Sequence, residues 1–131
     1  MLFGVRACDC RSFAILDKVF LAEPVDTYYQ ARRQNGTVIS MACTRPSETC
    51  FCGVFGIDAA APEGDVTCWR DEEFLYWQEN TAKGAALTAL LPMLCDCGEE
   101  AVRAQQEPTR ALLRRLPLNG LKTAAFGAGK T

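Results

Sequence analysis

TVISMACTRPSETCFC, residues 37–52, is the stretch on which the fold turns. Its first half, Thr37 to Cys43, is β-branched and mostly apolar, of strand length and suited to burial on both faces, as in a parallel sheet. Its second half breaks that pattern at Pro46 and sets Cys43, Cys50 and Cys52 close together. Upstream, Met1 to Val5 reads as the end of another buried strand, followed by a polar turn over residues 6–11. From Ser12, a good N-cap, the residues Phe13, Leu16, Val19 and Phe20 recur at helical spacing until Glu23-Pro24 closes the helix. Asp26 caps a second expected helix over 26–35, ended by Gly36. Strand, helix, helix, strand is a βαβ-like unit, so the two strands are expected to run parallel.

Downstream, residues 43–62 are irregular, punctuated by Pro46, Gly53, Gly56 and Pro62. DVTCWR (65–70) and EFLYWQEN (73–80) alternate as a hairpin around an acidic turn at Asp71 to Glu73, with Val66 and Cys68 on one face. Lys83 to Leu94 is an Ala/Leu-rich helix, and Glu99 to Leu116 is a second helical stretch interrupted at Pro108. The expected fold is α/β: a small, mainly parallel sheet with flanking helices, a β-hairpin and C-terminal helices, in one domain over residues 1–116. Residues 117–131 are Gly/Ala-rich and expected to form a flexible tail. FGAGKT (126–131) ends like a phosphate-binding loop, but the first glycine of that motif falls on Ala124 and no helix follows Thr131.

The 131 residues carry 14 basic and 16 acidic side chains, interspersed, for a net charge of -2. There is no basic stripe to hold phosphates, so nucleic acid is not an expected partner. No apolar run approaches the roughly 18 residues of a membrane span, and the N-terminus lacks the pattern of a secretion signal. The expected location is cytoplasmic. Histidine is absent, which removes His-based acid–base catalysis and every imidazole ligand. Any metal here is held mainly by sulfur.

Eight cysteines are more than a cytosolic domain needs for packing, and in a reducing compartment their clustering points to metal or redox chemistry before disulfides. Cys8 follows the first expected strand and Cys43 ends the second. If those strands are neighbours, both arrive at the carboxyl rim where α/β sheets present ligands. The loop beyond Cys43 then returns Cys50 and Cys52 to them. In an extended Cys-x-Cys the side chains stand about 6.6 Å apart. Zinc, with Zn–S distances of about 2.3 Å, draws its sulfurs closer than that. A cubane spreads them, so Cys50-Phe51-Cys52 suits a cluster better than a zinc ion, although a kinked loop closes the gap. Phe51 and Phe55 are placed to shield such a site. Cys10 is a substitute ligand for Cys8; Cys68 reads as core; Cys95 and Cys97 read as bland before a second metal site. On spacing alone, a cluster, a zinc site and plain burial all stay open. A thiol–disulfide oxidoreductase is the weaker reading, since no Cys-x-x-Cys opens a helix.

FGVRACDCRSFAILDKVFL (3–21), DTYYQARR (26–33) and CTRPSETCFCGVFGID (43–58) together resemble the central region of the 4Fe-4S dicluster electron-transfer proteins, the family of the sulfhydrogenase beta subunit, which also includes the corresponding component of anaerobic sulfite reductase. The family stretches read approximately GVRPCD, DPYY-x-x-RR and CTEPG-x-TCFC, and WRDEEFLYWQENTAKG (69–84) looks like their continuation. The resemblance implies that Cys8, Cys43, Cys50 and Cys52 bind a 4Fe-4S cluster, with zinc the alternative cofactor. It implies electron relay from the catalytic subunit of a hydrogenase or reductase to a ferredoxin or flavoprotein, or the reverse, with no catalytic residues and no turnover of its own. Family members are more than twice as long, with a segment before the GVR strand and two ferredoxin motifs that this sequence lacks. A sheet edge left exposed, and a need for a partner, are expected from that difference. The other class of function is a non-redox structural or interaction domain with zinc-bound or buried cysteines. Arg6 and Arg45, flanking Cys8 and Cys43, are expected to raise a cluster's potential by their charge.

Overall fold

Val38, Ile39 and Ser40 are buried in succession, which an alternating half-buried strand would not allow. Their strand lies inside the sheet. The structure is a computed structural model describing residues 1–123; the rest of the expected tail, FGAGKT included, lies outside the described residues. Its elements run β1 (Leu2–Val5), α1 (Ala7–Phe20), α2 (Thr27–Asn35), β2 (Val38–Met41), β3 (Val66–Arg70), β4 (Leu75–Glu79), α3 (Ala82–Thr88) and α4 (Glu99–Arg115), with 3-10 turns at Cys52–Phe55 and Pro117–Gly120. The sheet order is β1-β2-β3-β4. β1, β2 and β3 are parallel and β3 pairs antiparallel with β4, so the α/β class, the mainly parallel sheet and the hairpin are all present.

Two crossovers make the parallel order. The first carries α1 and α2; the second, between Met41 and Val66, is mostly loop and holds Cys43, Cys50 and Cys52. Inside the sheet, Ile39, Val66 and Cys68 form the core, joined by Met41, Trp77 and Leu87. Polar groups there are satisfied. The Ser40 hydroxyl donates to the Val66 carbonyl at 2.8 Å, Thr67 Oγ1 donates to the Pro62 carbonyl at 2.7 Å, and Trp69 Nε1 donates to the Ala60 carbonyl at 2.7 Å. The last two of these bonds lay the 57–64 loop against the sheet. α3 reaches the sheet at Gly84, where a Cβ would stand 2.1 Å from the Asp65 carbonyl oxygen, so no larger residue fits.

Several boundaries differ from the sequence expectation. α1 begins at Ala7, so residues 6–11 are the cap and first turn of the helix and not a polar turn. Ser12 sits inside, its hydroxyl donating back to the Asp9 carbonyl at 2.7 Å, a bond that competes with capping for the same side chain. α3 stops at Thr88 because Pro92 lacks the N–H and disfavours helical backbone at Leu91. α4 runs through Pro108 without a break. β1 is an edge strand, with Leu2 51% and Phe3 61% exposed, because no described residue lies beyond it and α1 buries only Ala7.

α2 is pinned to α1 by charge. Arg33 Nε and Nη2 donate to the two carboxylate oxygens of Asp17 at 2.8 and 2.7 Å, and the Tyr29 hydroxyl donates to Asp17 at 2.7 Å. Arg33 also lies over the Phe13 ring, and Phe20 packs on Tyr29. Lys83 donates to the Arg33 and Gly36 carbonyls, closing the C-terminus of α2. The hydrogen bond from Arg33 holds the Asp17 carboxyl below its ordinary pKa, against the opposing effect of burial. Stabilisation from Asp17 is therefore complete above about pH 3.9 and is lost as pH falls through the lowered folded value. Asp17→Asn is expected to cost about 1 kcal/mol at pH 7, a difference that shrinks below pH 4 in urea unfolding; equal stability at pH 7 would contradict this.

Candidate metal centre

Parallel pairing brings the carboxyl ends of β1 and β2 to one rim, and a cysteine follows each strand. Cys8 stands in the first turn of α1, one residue beyond Ala7; Cys43 stands two residues beyond Met41. Arg6 locks the two segments together. Its backbone N–H donates to Asp9 Oδ2 at 3.2 Å, and its guanidinium Nη1 donates to the Ala42 carbonyl at 2.9 Å and the Met41 carbonyl at 3.3 Å. Guanidinium has donors only, so Arg6 cannot cap the helix with its side chain and is free to bind the end of β2.

The backbone at Cys43 is held on both sides. Its N–H donates to the Ala59 carbonyl at 2.9 Å, and its carbonyl accepts from the buried Thr109 hydroxyl at 2.6 Å. The loop beyond turns at Ser47, where the Cys50 N–H donates to the Ser47 carbonyl and the Ser47 N–H donates back to Cys50 Sγ at 3.2 Å. Cys52 then opens the 3-10 turn, which ends at Gly56 with φ of 65°, a left-handed conformation that suits glycine. Asn119 clamps this turn to the end of α4, accepting from the Gly53 N–H at 2.9 Å and donating to the Leu113 carbonyl at 2.7 Å. Arg110 adds an ion pair to Asp58 at 2.7 Å.

Parallel pairing delivers Cys8 and Cys43 to the same rim, with Cys50 and Cys52 on the loop that leaves it. Burial pushes the Cys43 thiol up; the Arg6 guanidinium opposes it, while Cys8, Cys50 and Asp9 add to the rise. Burial likewise raises Cys52, with Cys8, Cys50 and Cys43 contributing. The N-terminus of α1, with its positive end of the helix dipole, favours negative charge beside Cys8. Among the described residues, no three Cys, Asp or Glu side chains converge in the way that holds a single metal ion.

Cys10 belongs elsewhere. Two residues apart on a helix means about 200° around its axis, so Cys8 and Cys10 point to different sides. Cys10 lines a cavity of about 140 Å³ with Arg11, Asp58 and Glu63, and burial, then Asp9, Cys8 and Glu63, push its thiol up to about 11. Cys68 is fully buried in the core, and burial alone pushes it up to about 11. Cys95 and Cys97 are exposed on the loop before α4. Arg45 is exposed on the loop beyond Cys43, and Arg6 is the arginine whose charge bears on that thiol. Phe51 and Phe55 pack edge to face at 5.7 Å but stay 51% and 55% exposed, a more open shield than the spacing suggested.

Thr109 and Asn119 carry no signal in the sequence. Each lies 66 residues from the group it holds, and Pro108 reads as a break at the place where α4 delivers Thr109.

Over 66 residues, the chain is 44% identical to sulfhydrogenase 2 subunit beta of Pyrococcus furiosus. That relative is a hydrogenase subunit. The match spans 50% of this chain and 20% of the relative. No family model matches the chain, and no solved structure does.

Thr109→Val keeps the shape but leaves the Cys43 carbonyl without its partner, at an expected cost of about 2 kcal/mol. Chemical denaturation of the metal-free protein measures it; a change below about 0.5 kcal/mol, the scatter of ordinary surface substitutions, would show that Thr109 does not anchor Cys43.

Proposed function

We propose that this chain is an electron-transfer component of a hydrogenase or reductase complex, binding one 4Fe-4S cluster through Cys8, Cys43, Cys50 and Cys52. The observation that supports this reading is the parallel pairing of β1 with β2, which brings Cys8 and the start of the loop bearing Cys43, Cys50 and Cys52 to the same rim. The likeness to a sulfhydrogenase beta subunit supports the same class of partner. The Cys-x-Cys spacing at Cys50 and Cys52 suits the larger body of a cubane better than a zinc ion.

When bound, the cluster supplies a one-electron redox couple. The chain's own residues set its surroundings. Arg6 and the first-turn amides of α1 favour negative charge at the site; the Ser47 N–H donates to the Cys50 sulfur; Thr109 and Asn119 fix the backbone that carries the remaining thiols. Electrons pass between the catalytic subunit of a hydrogenase or reductase and a ferredoxin or flavoprotein, in the cytoplasm. Among the described residues, no helix is long and apolar enough to cross a membrane.

Anaerobic expression followed by iron, sulfide and zinc analysis tests the reading. About four irons and four sulfides per chain are expected, lost in Cys50→Ser/Cys52→Ser. Zinc in place of iron, or a metal-free protein that folds equally well in both forms, would overturn it in favour of a structural or interaction domain. In the loaded protein, Arg6→Gln is expected to lower the midpoint potential while Arg6→Lys retains most of it, because the positive charge favours the reduced, more negative state. A redox titration in which the potential of Arg6→Gln does not fall would contradict that role.

A further inference from the structure

Three Cys-x-Cys pairs occur in the chain, at 8 and 10, 50 and 52, and 95 and 97, and the fold gives each a different backbone. Cys8 and Cys10 lie on α1 and diverge around its axis. Cys50 and Cys52 lie where the loop turns into the 3-10 segment, with the Cys50 sulfur already accepting a backbone N–H. Cys95 and Cys97 are different. Both are exposed, they sit in the segment 94–98 that has no regular structure, and among the described residues no backbone–backbone hydrogen bond involves Cys95, Asp96 or Cys97.

Backbone geometry then limits their separation. Two residue steps span at most about 7.2 Å between Cα atoms, and a disulfide takes Cα separations of about 4.4–6.8 Å. A slight bend of this irregular segment closes the gap, at the cost of the weak contact by which the Cys95 thiol donates to the Met93 carbonyl at 3.9 Å. On α1 the same spacing in sequence is held by the helix with the thiols turned apart. α4 separates the pair from the candidate metal centre: Glu99 and Thr109 are ten residues apart on it, about 15 Å along the axis.

We propose that Cys95 and Cys97 form a reversible thiol–disulfide site that exchanges with low-molecular-weight disulfides of the glutathione class. The thiolate of one cysteine attacks a sulfur of the small disulfide, forming a mixed disulfide and releasing one small thiol, which takes up the proton lost by the attacking group. The second thiolate attacks the protein sulfur of that mixed disulfide, closes the Cys95–Cys97 bond and expels the second small thiol. Two electrons and two protons pass from the pair to the oxidant. A bond across so short a loop is strained and exposed, the properties that make a disulfide easy to reduce again.

The full chain is equilibrated with mixtures of reduced and oxidised glutathione, quenched with an alkylating agent and digested with trypsin. Cleavage after Lys83 and Arg103 releases residues 84–103, which contain Cys95 and Cys97 and no other cysteine; cleavage after Arg6 and Arg11 releases residues 7–11 with Cys8 and Cys10 as an internal control. The 84–103 peptide is expected to pass from two alkylated thiols to an internal disulfide as the oxidised share rises, and to return on dilution into reduced glutathione. The 7–11 peptide is expected to show no internal bond. In Cys97→Ser the reaction stops at a glutathione adduct on Cys95. Persistence of two free thiols, one glutathione on each cysteine, or equal closure within residues 7–11 would overturn the proposal. Cys95→Ser/Cys97→Ser is expected to leave iron and sulfide content unchanged, so this result and the metal analysis stand apart.

Discussion

The parallel pairing of β1 with β2 is the constraint on which the rest depends. In an antiparallel pair the chain ends after successive strands lie at opposite rims; in a parallel pair they lie at the same one. Register fixes Leu2 beside Val38 and Phe3 beside Ile39, so the residues that follow Val5 and Met41 emerge together. Arg6 makes that meeting specific by tying the first turn of α1 to the last carbonyls of β2. Its charge then bears on the Cys43 thiol that the same contact has brought close. One side chain thus acts on both geometry and electrostatics.

Around this rim the protein relies on polar anchoring more than on a large core. The buried apolar cluster is small, and Leu2, Phe3, Ile15 and Val19 all remain exposed on the β1 and α1 side. The elements are positioned by buried hydroxyls on carbonyls, by the Asp17, Tyr29 and Arg33 network, and by Asp65, which accepts from the Val38 N–H at 2.8 Å and the Thr81 hydroxyl at 2.6 Å. Such contacts are directional and costly to leave unmade. They suit a loop such as 44–57, whose aromatic residues Phe51 and Phe55 stay more than half exposed and add little buried apolar surface.

The sheet was legible because its strands are strongly β-branched or aromatic and bounded by turn residues: Val38 to Met41, Val66 to Arg70 and Leu75 to Glu79 are all found where the sequence places them, and Asp26 caps α2, accepting from the Tyr29 N–H at 2.9 Å. The start of α1 was not, because Ser12 has the chemistry of a cap and Arg6 does not, while tertiary contact with β2 decides the matter. Pro108 misled for a related reason, since packing against the sheet and the 3-10 turn holds α4 together across the missing hydrogen bond. At the candidate centre, the placement of Cys8 and Cys43 just beyond two neighbouring parallel strands was readable from order and spacing. Thr109 and Asn119 were not, because nothing local in a sequence marks a contact 66 residues away.

The central claim is that four sulfurs from three segments surround one iron–sulfur body. Iron and zinc K-edge X-ray absorption on anaerobically prepared protein addresses it directly, since the fine structure reports the kind and number of neighbours around each metal. The account predicts iron with a first shell of sulfur alone and a second shell of iron. A zinc edge with sulfur neighbours and no metal–metal scattering, or iron bound by oxygen, would contradict it.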